Sequence, residues 1–204
     1  MKYYQMTYKI FLSGWDGREP SGLFQRSHDW VLLKTGEPLL DYENDRVNGE
    51  PFKGPLLCEL DDEDETGVMA TFYNSPAFIA KKSFYHDLRD IGIDNIEVHP
   101  VVIHDPLNNI EIDDYLLLNF LDSISCAVME QSSYERLNEA GDPEDPVDSM
   151  IVMNELVIDP SKIDGQDLFL LREDTDCIVI SERVYTHLQN RGYSHIVFEE
   201  LKQI

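Results

Sequence analysis

Within CELDDEDETG, residues 58–67, six carboxylates fill the seven positions from Glu59 to Glu65. Such a block could hold a hard cation, supply a general acid and base, or attract a positively charged partner. Each chemistry makes its own demand on spacing. A calcium loop of the EF-hand type needs oxygen ligands at positions 1, 3 and 5, glycine at 6 and glutamate at 12. Counted from Asp61, the loop has Thr66 at the glycine position and Phe72 at the glutamate position; counted from Asp62, it gains Gly67 but ends on Tyr73. The motif fails in both registers, which leaves weak cation condensation, a solvated turn or a docking surface.

The other chemistry-bearing residues are scattered. His28, His86, His99, His104, His187 and His195 form neither HExxH nor a pair at helical i, i+4 spacing. In a regular strand VHPVVIH, the odd separation of His99 and His104 sends them to opposite faces, where they cannot share a metal. No GxSxG elbow, GxxxxGK[ST] cradle or GxGxxG loop is present. Paired acids such as Asp113 and Asp114 could act as general acid and base, but among forty carboxylates adjacency is expected by chance. No catalytic residue, metal ligand or cofactor is therefore assigned. Cys58, Cys126 and Cys177 are too few and too far apart for a disulfide framework or a zinc knuckle, and read as buried reduced thiols.

Sixteen basic against forty acidic residues leave a formal charge of −24. That field repels phosphate backbones and anionic membranes, which argues against direct nucleic-acid binding. It would instead attract a cationic protein. The N-terminus lacks a continuous apolar core of signal-peptide length, and no later apolar run reaches a membrane span, so a cytoplasmic location is expected.

These residues must be positioned by a fold of some 204 residues, enough for one well-buried core, and the chain is expected to form a single domain over 1–204. Tyr4, Met6, Tyr8 and Ile10 share one parity, the signature of an opening strand. The segment 36–57 carries three prolines and three glycines, which excludes a long helix and predicts mostly irregular structure. Residues 76–101 and 176–201 align without a gap at a spacing of 100, pairing Tyr85 with Tyr185, Leu88 with Leu188, Gly92 with Gly192 and Ile96 with Ile196. Each copy reads as strand, short helix, glycine stop and strand, a pattern consistent with an internal repeat. DDYLLLNFLDSISCAVME, 113–130, fits a buried strand or an amphipathic helix equally well. SMIVMNELVID and LFLLRE read as strands, with turns at 138–148 and 164–166. The sum is an α+β fold with a largely antiparallel sheet and a few short helices, built on two related strand–helix–strand units.

Five stretches together resemble one family: LLDYENDRVNGEPFKGPLLCEL, GIDNIEVHPVVI, YLLLNFLDSISCAVMEQSSY, LVIDPSKIDGQDLFLL and IVISERVYTHLQNRGYSHIVFEEL. They are similar to the eleventh class of immunity proteins of bacterial polymorphic-toxin systems, long catalogued as a domain of unknown function. The resemblance implies a small cytoplasmic protein, encoded beside a toxin, that protects the producing cell by binding it, and it implies a strand for YLLLNFLDSIS. It carries no catalytic motif. The acidic run is more extreme here than the family pattern, which makes it a site for partner choice. The partner expected is a basic cognate toxin or effector protein, met by Glu59, Asp61, Asp62, Glu63, Asp64 and Glu65 with Phe72 and Tyr73 as apolar contacts. Asp142, Glu144, Asp145, Asp148, Glu111, Asp113 and Asp114 would reinforce the field if they converge with it. Two rivals are a metal-assisted hydrolase using scattered Asp, Glu and His, and a general acidic decoy or adaptor for basic proteins.

Overall fold

The computed structural model describes residues 1–8, 23–25, 40–41, 46–47, 55–60, 69–74, 78–136, 151–193 and 195–204. In chain order the first strands are β1 (Tyr3–Tyr8), β2 (Leu23–Gln25), β3 (Leu40–Asp41), β4 (Arg46–Val47), β5 (Leu56–Leu60), β6 (Phe72–Tyr73) and β7 (Ile79–Lys81). Helix α1 (Lys82–Asp90) leads into β8 (Ile96–Asp105), β9 (Ile110–Phe120), β10 (Ser123–Ile124) and β11 (Ser133–Arg136). Then come β12 (Ile151–Glu155), β13 (Val157–Ile158), β14 (Leu168–Leu171), β15 (Asp174–Ser181), α2 (Glu182–Arg191), β16 (Ile196–Glu200) and β17 (Lys202–Gln203). The expected α+β, antiparallel-rich architecture is present, distributed over two main sheets. One runs β2-β5-β8-β9-β7-β6 and the other β10-β14-β15-β1-β16. The parallel pairings are β5 with β8, β10 with β14 and β13 with β17.

The two aligned segments fold alike. Strands β7 and β8, on either side of α1 in sequence, both pair antiparallel with β9; β15 and β16, on either side of α2, both pair antiparallel with β1. Each unit is thus a strand–helix–strand whose two strands are held apart by a third. Their registers agree as well. Ile79 faces Leu117 as Val179 faces Gln5, and Val98 faces Leu118 as Phe198 faces Met6. β9 and β1 therefore correspond residue for residue whichever flank is used. Both helices end before a left-handed glycine, Gly92 at φ 82° and Gly192 at φ 71°, a backbone region that an L side chain enters only with strain.

The central core lies between the sheets and takes Phe84 and Leu88 from α1, Val184 and Leu188 from α2, and Tyr4, Met6, Leu116, Leu118, Phe120, Ile178 and Ile180 from the strands. A second cluster, with Leu56, Cys58, Tyr73, Ile103, Tyr115 and Leu117, covers the other face of the β5–β8–β9 sheet. Both faces of β9 are thus buried over Tyr115–Phe120, where every residue is buried. That double burial explains the unbroken apolar run, and it settles the segment as strand, as the resemblance implied. SMIVMNELVID, expected as one strand, divides at Leu156 into β12 and β13, which pair with β11 and β17 respectively. Most of 36–57 lies outside the described residues; its described parts are the β3–β4 pair and the start of β5. Pro100 is tolerated within β8 because the β5 ladder begins only at Val101, so no bond to β5 is forfeited.

Candidate functional site

The parallel pairing of β5 with β8 decides where the acids go. It sends the C-terminal end of β5 out of the same end of the sheet as the β8–β9 turn. In this register Glu59 lies opposite His104, and His104 lies opposite Glu111. Cross-strand partners share a face, so these three form one row on the side of the sheet turned away from Cys58 and Ile103. His99 faces Leu117 on the other side, so the two histidines occupy opposite faces, as their spacing predicted. A register shift between Val101 and Ile103 of β8 places two β9 residues, Asp113 and Asp114, against Val102 alone, and both acids are exposed there.

The turn at this end is held from inside. Buried Asp105 accepts the backbone N–H groups of Leu107 (3.0 Å) and Asn108 (3.1 Å) and the Asn108 side-chain amide (2.7 Å). These bonds, led by the Asn108 amide, hold the Asp105 carboxyl below the usual carboxylate range. Asn109 takes φ 51°, a conformation that asparagine tolerates better than most residues. Leu107 and Ile110 project from the turn with exposures of 54 % and 50 %.

Of the residues expected to meet a partner, Glu59 is half-buried on β5 in this row. Asp61, Asp62, Glu63, Asp64 and Glu65 lie outside the described residues, as do Asp142, Glu144, Asp145 and Asp148. Phe72 and Tyr73 are only 0 % and 1 % exposed, which corrects their assignment as surface contacts. Phe72 faces the central core, with ring centroids 5.8 Å from Phe84, because edge strand β6 pairs with β7 over that core. Tyr73 instead anchors the backbone of Ala70. The Ala70 N–H donates to the Tyr73 hydroxyl (2.9 Å), and the Tyr115 hydroxyl donates to the Ala70 carbonyl (2.7 Å). Leu57, Leu107 and Ile110 are exposed apolar residues that sequence reasoning missed; the alternation of Leu57 with buried Leu56 and Cys58 was the available signal.

Among the described residues no group of three or more His, Cys, Asp or Glu side chains is placed to hold a metal ion, and no helix is long and apolar enough to cross a membrane. Partial burial raises the carboxyl of Asp174, a shift that can mark a general acid. Asp174 is nonetheless committed to structure. Its oxygens accept the N–H groups of Met153 (3.1 Å) and Asp176 (3.2 Å), tying β12 to β15.

A family model described as Immunity protein family (Imm11) matches residues 41–203. The chain belongs to this immunity protein family. No curated protein matches it. The matched segment contains both strand–helix–strand units and the whole β8–β9 hairpin, whereas β1, the central strand of the second unit, precedes it.

The three thiols are free and buried, and burial pushes Cys58 and Cys126 up to about 12 and Cys177 well above its ordinary value. Iodoacetamide at pH 8 should leave the native family member unlabelled and modify all three cysteines in denaturant; rapid native labelling would contradict this burial. Because these folded values are raised, the stability they contribute is complete below the ordinary thiol value of 9.0 and is lost as the pH rises toward about 12. Urea midpoints should fall across that window.

Proposed function

We propose that this chain neutralises a cognate bacterial toxin in the cytoplasm by stoichiometric protein binding, with no bond made or broken, and that its acidic surface steers a basic toxin domain. Family membership supports the class of function. The observation that carries the surface assignment is the common exit of the β5 end and the β8–β9 turn, which sets Glu59 and Glu111 on either side of His104. Chain connectivity adds Asp61 and Asp62, whose Cα atoms lie within about 7 to 11 Å of that of Glu59 at full extension. Long-range attraction then sets encounter rate and partner selection, while apolar contacts set residence time.

Co-expression with the toxin domain encoded by the adjacent gene should yield a one-to-one complex and rescue growth; failure of both would end the proposal. Replacing Asp61, Asp62, Glu63, Asp64 and Glu65 by Asn or Gln should slow association by about tenfold at low salt and flatten its salt dependence. Stopped-flow association at several ionic strengths measures this. Unchanged rates would discard the segment as the steering element.

A further inference from the structure

In the first unit β8 and β9 continue beyond the register they share with β16 and β1. β16 and β1 span only Ile196–Glu200 and Tyr3–Tyr8, whereas β8 and β9 run over Ile96–Asp105 and Ile110–Phe120. The shared register accounts for β8 as far as about residue 100 and for β9 from about residue 115. The extension between them, 101–114, closes the β8–β9 hairpin beyond that register; at its base β8 pairs parallel with β5, Leu57 opposite Val102, as β17 pairs with β13, Val157 opposite Lys202.

The extension carries an open face. Along β8, Pro100, Val102 and His104 share the parity opposite to buried Val101 and Ile103; Leu57 of β5 faces Val102, and Glu59 faces His104. Pro100 is exposed, and Leu57 is 39 % exposed although it lies within a strand. The turn that Asp105 holds in shape carries exposed Leu107 at the end of the hairpin. Among the described residues of β5 and of 100–114 the exposed or half-buried carboxylates are Glu59, Glu111, Asp113 and Asp114, and neither 54–80 nor 90–135 contains a lysine or arginine. A second copy of this chain would bring the same carboxylates against these, so self-association here is opposed by like charge. A surface with an apolar centre inside a cationic rim is complementary.

We propose that the face of the β5–β8–β9 extension turned away from Cys58 and Ile103, centred on Leu57 and Val102, edged by Glu59 and Glu111 and ending at the turn that carries Leu107, is the seat of a basic protein partner. This rests on the toxin-binding reading above and names the apolar anchors of that surface, a role Phe72 and Tyr73 cannot fill from the core. Arginine at an anchor would both remove apolar contact and set a like charge against the partner.

The test uses the full chain and a catalytically inactive form of the adjacent-gene toxin domain. Leu57→Arg/Leu107→Arg should weaken binding by about tenfold or more, chiefly through faster dissociation. Glu130→Lys/Asp164→Lys, exposed acids elsewhere, should change dissociation little. Circular dichroism melts check that each variant is folded. If the double variant fails to fold, Leu107→Ser, in the exposed turn, takes its place, and hydrogen exchange of the wild-type complex should show protection over 98–111. Wild-type dissociation by the folded anchor variant, or no protection over 98–111, overturns this face while leaving toxin binding intact. A wild-type chain that does not bind the toxin overturns the underlying reading and this proposal with it.

Discussion

Phe84→Ala should lower the unfolding free energy by about 3 to 5 kcal/mol, read from urea denaturation with an unchanged m-value. Phe84 is fully buried on α1, between the two sheets, with ring centroids 5.8 Å from Phe72 and 5.5 Å from Tyr193. Its truncation removes apolar burial and leaves a cavity, because neighbours fixed in two sheets and a second helix can collapse only in part. The equivalent position in the second unit is Val184, also fully buried, so the larger ring fills space that the other helix does not. Typical native stabilities are about 5 to 15 kcal/mol, so this one change could remove a large share of the margin. A loss under about 1 kcal/mol would mean that α1 is not seated in this core.

Tyr73→Phe and Tyr115→Phe should each cost about 1 to 3 kcal/mol, since each leaves one buried polar group of Ala70 without its partner. The aromatic rings are kept, so the loss isolates the hydroxyls. The two bonds grip the N–H and the carbonyl of one residue, and the double variant should therefore depart from the sum of the single ones. Ala70 stands just beyond the acidic segment, and its release should also slow association with a basic partner by loosening one foot of that segment. Thermal melts and stopped-flow association separate the two effects. Variants that melt lower but associate at the wild-type rate would show that steering does not depend on this foot.

Local pattern made much of the fold readable. The opening strand, both helices, their glycine stops and the 100-residue spacing of the two units follow from parity, from helical periodicity and from the backbone freedom of glycine. YLLLNF was undecidable from periodicity because burial on both faces erases alternation, and only the resemblance to the family pointed to a strand. Phe72 and Tyr73 misled for a related reason. Adjacent aromatics after an acidic run look available, but on β6 their side chains pass to opposite faces of a sheet that is covered on both.

By itself, then, the sequence determined the excess of negative charge, the type of the principal elements, the unpaired thiols and the resemblance that the family match bears out. The tertiary structure alone decided that β9 and β1, strands far apart in the chain, sit between the arms of the two units. It also decided that Glu59 and Glu111 flank His104, and that Tyr73 is buried in the core, where it cannot serve as a surface contact. The physical reason is that side-chain periodicity reports which residues share a face, whereas strand order and register are set by which faces find cover. Backbone hydrogen bonds are alike at every position and name no partner, so that choice falls to packing between distant segments.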